Sequence, residues 1–214
     1  MNNHQLQQAV RDELRFDPSF AEADIKVEAV EGAVSLTGTV PTYSQKRFAL
    51  RAAQRVGGVQ TVADDIVVRI PAEVTATDQD IASCASQSLA WDTSVPEQVK
   101  ATVDHGVLTL SGAARNHFEK SAAELNVSRL YGVTGIVNRI EVRPAGPPAA
   151  GFTGDITKAL QRFAFEGADM KVTAEGGKVY LNGTVANAHQ RAMAEHAAWS
   201  PPGVTQVEER LTIN

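Results

Sequence analysis

The sequence predicts an α+β protein made of three tandem repeats, each a small α/β sandwich with the order α-β-β-α-β. In each repeat, two helices cover one face of a three-stranded mixed sheet. The first observation is a pair of glycines six residues apart within an alternating apolar pattern, found at Gly32 and Gly38, Gly106 and Gly112, and Gly177 and Gly183. The second is a Gly-Val pair that follows 20 residues after the second glycine of each pair and begins at Gly58, Gly132 and Gly203. Self-similarity of this period indicates repeated structural units.

The repeat boundaries follow from spacings of 74 and then 71 residues between equivalent glycines. We place repeat 1 at residues 1–70, repeat 2 at 77–143 and repeat 3 at 152–214. A short linker at 71–76 and a Pro/Gly-rich linker at 143–151 separate them. Repeats this short bury a limited fraction of their surface, so we expect contacts with neighbouring repeats to stabilise each one.

Repeat 1 begins with an amphipathic helix over residues 3–16, predicted by Leu6, Val10 and Leu14 and ended by Asp17-Pro18. Two strands with one buried face follow, and the Glu31-Gly32 pair between them is typical of a tight hairpin. Their apolar positions are Ile25 and Val27 in the first strand and Val34, Leu36 and Val40 in the second.

A second helix follows Pro41 and starts at the capping pattern Thr42-Tyr43-Ser44-Gln45, in which two side chains satisfy free backbone N–H groups. Similar capping patterns stand at the equivalent positions of repeats 2 and 3, from Asn116 to Glu119 and from Asn187 to Gln190. Gly57-Gly58 ends the helix. The third strand, with Val62, Ile66, Val68 and Ile70, is expected to lie parallel to the second because a helix connects them.

Repeats 2 and 3 show the same order of elements. The first helix of repeat 2 is predicted by Ile81, Ala85 and Leu89, and its strands by Val99 and Ala101, Leu108 and Leu110, and Ile136, Ile140 and Val142. The first helix of repeat 3 is predicted by Ile156, Leu160 and Phe163, and its last strand by Leu211 and Ile213.

The composition is that of a folded globular protein, with 43% hydrophobic and 21% charged residues and a formal net charge of −5. No repeat concentrates Lys and Arg, which argues against nucleic-acid binding. The chain shows no signal peptide, no transmembrane segment and no lipid-anchor cysteine near its start, so a cytoplasmic location is expected, or a periplasmic one if a leader has been removed. Cys84, the single cysteine, is expected to be packed as a small hydrophobe because Ile81, Ala85 and Leu89 flank it at helical spacing.

No motif in the sequence indicates a reaction. Gly176-Gly177-Lys178 is typical of a hairpin, because no Ser or Thr follows the lysine as a phosphate loop requires. The acid pairs Asp64-Asp65 and Glu208-Glu209 stand just before the last strands of their repeats, and neighbouring residues in strands point to opposite faces. Five scattered histidines, His4, His105, His117, His189 and His196, are expected at surfaces or caps. We therefore expect no catalytic residue, metal site or cofactor.

Two features remain open as binding surfaces. Phe16, Trp91 and Phe165 each precede an acid where the first helix of a repeat ends; we expect the rings to close the core edge, with insertion into a lipid interface as the alternative. Lys46, Arg47, Arg51 and Arg55 make the second helix of repeat 1 basic, which indicates either a solvated face or weak contact with an anionic bilayer.

The pattern Gly-x-Val-x-Leu-x-Gly, an amphipathic helix, Gly-Val-x-x-Val and a closing strand resembles the BON domain. The three copies cover almost the whole chain, and Ile136 replaces the usual Val in repeat 2. The arrangement is similar to that of soluble bacterial BON-domain proteins related to osmotically induced periplasmic proteins. This resemblance implies association with phospholipid, often at the bacterial envelope, and a part in osmotic stress tolerance.

The leading hypothesis is a non-enzymatic module that binds anionic phospholipid or the membrane surface, with Lys46, Arg47, Arg51, Arg55 and Trp91 as candidate contacts. One alternative is a protein-interaction or self-assembly scaffold, which forms a homo-oligomer or binds a protein partner through free edge strands. Another is a small-solute carrier or transport-associated protein with a pocket between repeats.

Overall fold

The structure, a computed structural model, describes residues 1–16, 24–71, 76–148, 151–162 and 169–213. Repeat 1 contains α1 (Asn3–Phe16), β1 (Asp24–Val30), β2 (Ala33–Val40), α2 (Tyr43–Arg55) and β3 (Thr61–Val68). Repeat 2 contains α3 (Asp78–Trp91), β4 (Lys100–Asp104), β5 (Val107–Ser111), β6 (Ala113–Ala114), α4 (His117–Val127), β7 (Gly135–Asn138) and β8 (Glu141–Val142). Repeat 3 contains α5 (Phe152–Arg162), β9 (Asp169–Glu175), β10 (Lys178–Val185), α6 (Ala188–Trp199) and β11 (Gln206–Ile213). The Asp17-Pro18 stop, Phe163 and Phe165 lie outside the described residues.

Each repeat holds a three-stranded mixed sheet whose middle strand is the second of the repeat. In repeat 1, β2 pairs antiparallel with β1 through the hairpin and parallel with β3 through the α2 crossover. The same order places β5 between β4 and β7, and β10 between β9 and β11. The predicted fold class is therefore confirmed, including the parallel third strand that a helical connection requires.

The repeated glycines stand where the backbone takes a positive φ or leaves no room for a side chain. At the first hairpin Glu31 has φ +48° and Gly32 has φ +84°, the left-handed values of a tight two-residue turn. Gly38 has φ +144°, and a Cβ there would lie 1.9 Å from the carbonyl oxygen of Asp24 on the paired strand. Gly183 stands in the same relation to Asp169 in repeat 3, also at 1.9 Å. The spacing of the glycines thus follows from the hairpin turn and from the close approach of the two paired strands.

Three separate hydrophobic cores lie between the sheets and their helices. Their largest fully buried side chains are Leu36, Leu108, Leu110, Ile140, Ile156 and Leu181. The opposite face of the first sheet carries Lys26, Thr37 and Arg69, which are exposed. Each repeat therefore has one buried and one solvated sheet face, which is the pattern that period-two alternation predicts.

The strands of repeat 2 differ from the prediction in three places. Val99 precedes β4, Ile140 lies between strands, and Val142 belongs to β8, which pairs with β6 in a separate two-stranded sheet. At the break between β7 and β8 the side-chain oxygen of Asn138 accepts the Ile140 N–H at 3.2 Å, and the equivalent Asp64 accepts the Ile66 N–H at 3.2 Å within the unbroken β3. The predicted single third strand is therefore wrong here, although backbone hydrogen bonds to the second strand continue past the break: the N–H groups of Arg139 and Glu141 donate to the carbonyls of Leu110 and Gly112 at 2.8 and 3.0 Å.

The predicted helix caps are present in all three repeats. The N-cap side chain accepts the backbone N–H three residues later: Thr42 from Gln45 at 3.3 Å, Asn116 from Glu119 at 2.9 Å and Asn187 from Gln190 at 2.9 Å. In repeats 2 and 3 the reciprocal bond reaches one residue further back, where Arg115 and Ala186 donate their N–H groups. At its other end α2 stops at Arg55, before Gly57, and Gly58 supplies the left-handed turn with φ +90°.

The first residue of the second helix contacts another repeat in all three cases. These equivalent residues are Tyr43, His117 and Ala188, which follow the 74- and 71-residue spacings. Tyr43 packs against the core of repeat 2 and is hydrogen-bonded to the backbone of Ile136. His117 stacks on Trp199 of repeat 3, with ring centroids 4.3 Å apart. Ala188 packs against the core of repeat 1, and its N–H donates to the Val59 carbonyl at 2.9 Å.

These contacts join the repeats head to tail into a closed ring. Repeat 1 reaches repeat 2, repeat 2 reaches repeat 3, and repeat 3 returns to repeat 1, each time from the N-terminal end of its second helix. Heterologous contacts of one kind close into a ring when the rotation between units permits it, and here three units in one chain suffice. The ring brings α2 alongside α4 and creates the cleft described next.

Candidate functional site

Two of the four cations predicted on α2 are held inside repeat 1. Lys46 lies 3.0 Å from the Asp64 carboxylate and donates to the Ile66 carbonyl at 2.7 Å. Arg55 lies 2.9 Å from Glu13 on α1, and the two side chains are 55% and 36% exposed. Asp64 is inside β3, and not just before it as the sequence predicted, because the third strand starts at Thr61.

The Lys46 bridge has counterparts at the equivalent positions of the other repeats. In repeat 3 Arg191 forms a salt bridge with Glu209, which lies within β11 and not before it as predicted. In repeat 2 the side chain of Asn138 donates to the Lys120 carbonyl at 3.1 Å. A polar link from the second helix to the last strand is therefore a feature of the fold, which accounts for Lys46 without a ligand.

The other two cations of α2 face repeat 2. Arg47 lies 2.6 Å from the Glu124 carboxylate of α4, and both side chains are more than two-thirds buried. Arg51, one turn further along α2, has no carboxylate within salt-bridge distance among the described residues. Partial burial lowers the pKa of Arg51, and the neighbouring charge of Arg47 lowers it further. Three of the four predicted cations of α2 are therefore paired with a carboxylate, and the fourth, Arg51, lines a cleft.

The cleft lies between α2 and α4 and has a volume of about 840 Å³. Its cationic residues are Arg47, Arg51 and Arg129, and its largest apolar side chains are Phe118, Leu125 and Leu130. Phe118 is 69% exposed, so its ring stands in the opening and is not part of a core. The cleft offers an apolar wall next to a group of arginines, a combination suited to an amphiphilic anion.

The acidic groups of the cleft are already engaged within the protein. Glu124 binds Arg47 and also accepts a hydrogen bond from the side-chain amide of Asn138 at 3.1 Å. Asp92 accepts the Ser94 N–H at 2.9 Å, and its pKa is lowered by this bond and by the amide of Asn126. Arg129, like Arg51, has no ion pair with any described residue. The lining residues therefore comprise three arginines and the two carboxylates of Glu124 and Asp92, a net charge of +1.

A second open cleft, of about 610 Å³, adjoins the first and contains Trp91. The two clefts share Ser88, Asp92 and Asn126 as lining residues. Trp91 therefore lies in a cleft that adjoins the one lined by Phe118, Arg47 and Arg51. Lys46 and Arg55 are in neither cleft.

The prediction that the aromatic rings close the core edge is wrong for the two rings that the structure describes. Phe16 is 89% exposed and Trp91 is 87% exposed. Each ring stands two residues after the last buried leucine of its helix, Leu14 or Leu89, and two residues rotate a side chain about 200° around a helix. The alternative, a ring available to an interface, is the one consistent with these positions.

Cys84 is also exposed, which contradicts the expected packing. The buried stripe of α3 is Ile81, Ala85 and Leu89, and Cys84 precedes Ala85 by one residue. One residue is about 100° of rotation, which moves the thiol from the core to the cleft that contains Trp91.

The acids and histidines form no reaction centre in the described part of the chain. Asp64 faces Lys46, while Asp65 lies on the other side of the strand, near Ser35. The two carboxylates therefore point to opposite faces, as the sequence predicted. No group of three or more metal-binding side chains occurs among the described residues. His117 is half-buried, and burial is the main cause that lowers its pKa.

Sequence reasoning missed the contacts between repeats and the residues Phe118, Leu125 and Arg129. The available signal was positional, because the 74- and 71-residue spacings already align Tyr43, His117 and Ala188. The three share neither size nor charge, so nothing in their residue types pointed to a common role.

Comparison with known proteins agrees with this architecture. A family model described as the BON domain matches residues 2–70, 77–144 and 151–214. The chain belongs to the BON-domain family. Three tandem BON domains were predicted, and three are found.

The chain is similar to osmotically-inducible protein Y of Escherichia coli (strain K12), with 30% identity over 125 residues. The match covers 56% of this chain and 62% of that protein, so it spans less than two thirds of the relative. In the described part of the chain, no helix is long and apolar enough to cross a bilayer.

Two solved structures of CdsD, a structural protein of the Type III secretion system of Chlamydia trachomatis, also match. One is 14% identical with a TM-score of 0.27 and covers 98% of this chain and 92% of that chain. The other, a C-terminal domain, is 13% identical with a TM-score of 0.27 and covers all of both chains. Similarity at this level supports no argument about function.

Proposed function

We propose that this protein is a non-enzymatic binding module that associates with anionic phospholipid at a membrane surface and supports osmotic stress tolerance at the bacterial envelope. Its family and its similarity to an osmotically-inducible protein support the stress role. One structural observation carries the lipid role: the exposed ring of Phe118 lines the same cleft as Arg51 and Arg129, which have no salt bridge with a described residue, and the exposed ring of Trp91 lines the adjoining cleft.

The physical basis is a combination of interfacial aromatic contact and local charge. Tryptophan favours the membrane interface because its ring is apolar and its N–H is polar. Each cation near an anionic surface contributes about 1 kcal/mol, and two unpaired arginines are available here. The net charge of −5 opposes approach to an anionic bilayer, so binding is weak and decreases with salt.

Vesicle flotation tests this proposal. The full chain is mixed with vesicles of neutral or anionic phospholipid at low and at physiological salt, and the bound fraction is measured. We expect binding to anionic vesicles that falls several-fold in Arg51→Gln/Arg129→Gln and in Trp91→Ala. The charge-matched control is Lys46→Gln/Arg55→Gln, and Val67→Ala on the outer face of the first sheet is the apolar control. Absence of flotation under every condition, or equal loss in both double variants, contradicts the proposal.

The cleft between α2 and α4 also favours the second candidate, a carrier of a small molecule between repeats. A carrier needs a pocket at a junction, and this cleft draws its walls from repeats 1 and 2. A carrier binds its ligand as a single molecule in solution, whereas the membrane role requires a bilayer. Flotation and binding in solution therefore separate the two.

A further inference from the structure

The α2–α4 cleft is polar on one wall and apolar along part of the other. Arg51 comes from repeat 1, while Phe118 and Leu125 come from α4 of repeat 2 and Arg129 follows the end of that helix. Phe118 and Leu125 are seven residues apart, so they share a helix face and are separated by about 10 Å along the axis. An apolar strip of this length leads to the arginines.

Arg51 lies partly buried on the same helix as Arg47. Burial is the main cause that lowers the pKa of Arg51, the charge of Arg47 lowers it further, and Glu124, which binds Arg47 at 2.6 Å, opposes both. Arg51 and Arg129 both line the cleft, and neither has a carboxylate of a described residue within salt-bridge distance. A guanidinium group presents several N–H donors in one plane, and this geometry matches the oxygens of a phosphate or a carboxylate.

We propose that the α2–α4 cleft binds a single amphiphile through its phosphate-class oxyanion, with Arg51 and Arg129 as the anion ligands and Phe118 and Leu125 against its apolar chain. This inference rests on the same cleft as the proposed function but names a site for one molecule and not for a bilayer surface. The cleft volume of about 840 Å³ suits a small amphiphile, since ligand pockets commonly measure about 300–1,000 Å³.

Such a ligand would bridge two repeats, because its anion ligands come from both sides of the junction. Arg51 belongs to α2 and Arg129 follows α4. A ligand that binds only when the repeats are together stabilises the folded chain by mass action. Binding is therefore expected to raise the thermal unfolding temperature of the full chain.

The test is titration calorimetry of the full chain with octyl phosphate below its micelle concentration, with inorganic phosphate and octanol as the two partial ligands. We expect octyl phosphate to bind at least tenfold more tightly than either partial ligand. Arg51→Gln/Arg129→Gln should lose at least tenfold in affinity for octyl phosphate and Phe118→Ala several-fold, while Lys46→Gln/Arg55→Gln stays within twofold. Circular dichroism checks that every variant is folded.

Three results would overturn the inference. They are unchanged affinity in Arg51→Gln/Arg129→Gln, octanol binding as tight as octyl phosphate, and inorganic phosphate binding as tight as octyl phosphate. Binding of octyl phosphate without vesicle flotation supports the cleft site and refutes the membrane role. Flotation without binding of octyl phosphate refutes the cleft site and leaves the membrane role standing.

Discussion

His117 of repeat 2 stacks on Trp199 of repeat 3 with ring centroids 4.3 Å apart and planes inclined by 15°. Trp199 also packs against the core of repeat 3, so the stack ties that core to α4. The same position of the repeat, as Tyr43, ties α2 to the core of repeat 2. The ring of repeats is therefore closed by side chains that contribute little to their own cores.

Removing the imidazole should weaken this closure. We predict that His117→Ala lowers the free energy of unfolding by about 1 kcal/mol, the usual contribution of a stacked aromatic pair. Urea unfolding followed by circular dichroism measures the loss. His189→Ala, on the exposed surface of α6, should change the stability by less than about 0.5 kcal/mol. Equal effects of the two substitutions would show that the stack contributes nothing.

The stack should also make stability depend on pH. Burial, Lys120 and His196 lower the pKa of His117, and Glu124 opposes them only in part. The folded pKa therefore lies below the unfolded value of about 6.5, so the unfolded chain binds the proton more tightly. The contribution of neutral His117 is complete above about pH 6.5 and is lost as the pH falls from there toward the folded pKa.

The comparison variant is His117→Phe, which keeps a ring but cannot titrate. Between about pH 7.5 and pH 5.5 the native chain should lose more stability than this variant, as measured by urea unfolding at each pH. If the two pH profiles are parallel, His117 does not titrate at the junction.

The Arg47–Glu124 bridge should couple repeats 1 and 2 more strongly than a surface pair does. Its side chains are 20% and 31% exposed, against 55% and 36% for Arg55–Glu13. We predict a coupling energy of about 1 kcal/mol or more for the first pair and less than about 0.5 kcal/mol for the second. Double-mutant cycles with Gln at each position measure both. A larger value for Arg55–Glu13 would contradict the role of the bridge at the junction.

A side chain at Gly38 should be far more damaging than one at Gly57. The Cβ of Gly38→Ala would lie 1.9 Å from the Asp24 carbonyl oxygen, whereas a Cβ at Gly57 meets nothing within 4 Å. We predict a loss of about 3 kcal/mol or more for Gly38→Ala and less than about 1 kcal/mol for Gly57→Ala, from urea unfolding. Similar losses would mean that the strand pair yields at this point.

Much of the fold could be predicted from the sequence because its signals are local. The hairpin at Glu31-Gly32 requires positive φ, and the cap at Thr42 requires an oxygen at one position. Such requirements restrict residue type directly and recur with the repeat. The break after Asn138 was not predicted because the apolar pattern continues through it at Ile140 and Val142.

The site was less predictable because an apolar or charged residue does not reveal its partner. Arg47, Arg51 and Lys46 look alike in sequence, yet they face Glu124, an open cleft and Asp64. The exposure of Cys84 and Trp91 depends on rotations of one or two residues from the buried stripe of α3. The spacing of apolar residues identifies the buried stripe, but it does not show whether a residue next to the stripe is buried or exposed.

The most direct test of lipid contact uses the exposed thiol of Cys84, which lines the same cleft as Trp91. An environment-sensitive nitrobenzoxadiazole label on Cys84 is titrated with anionic and neutral vesicles. As a control, the same label is placed on Cys84→Ser/Thr109→Cys, at the outer face of the second sheet. The account predicts a blue shift and higher emission from the Cys84 label with anionic vesicles, and little change from the control. An unchanged Cys84 label, or an equal response at both sites, would contradict it.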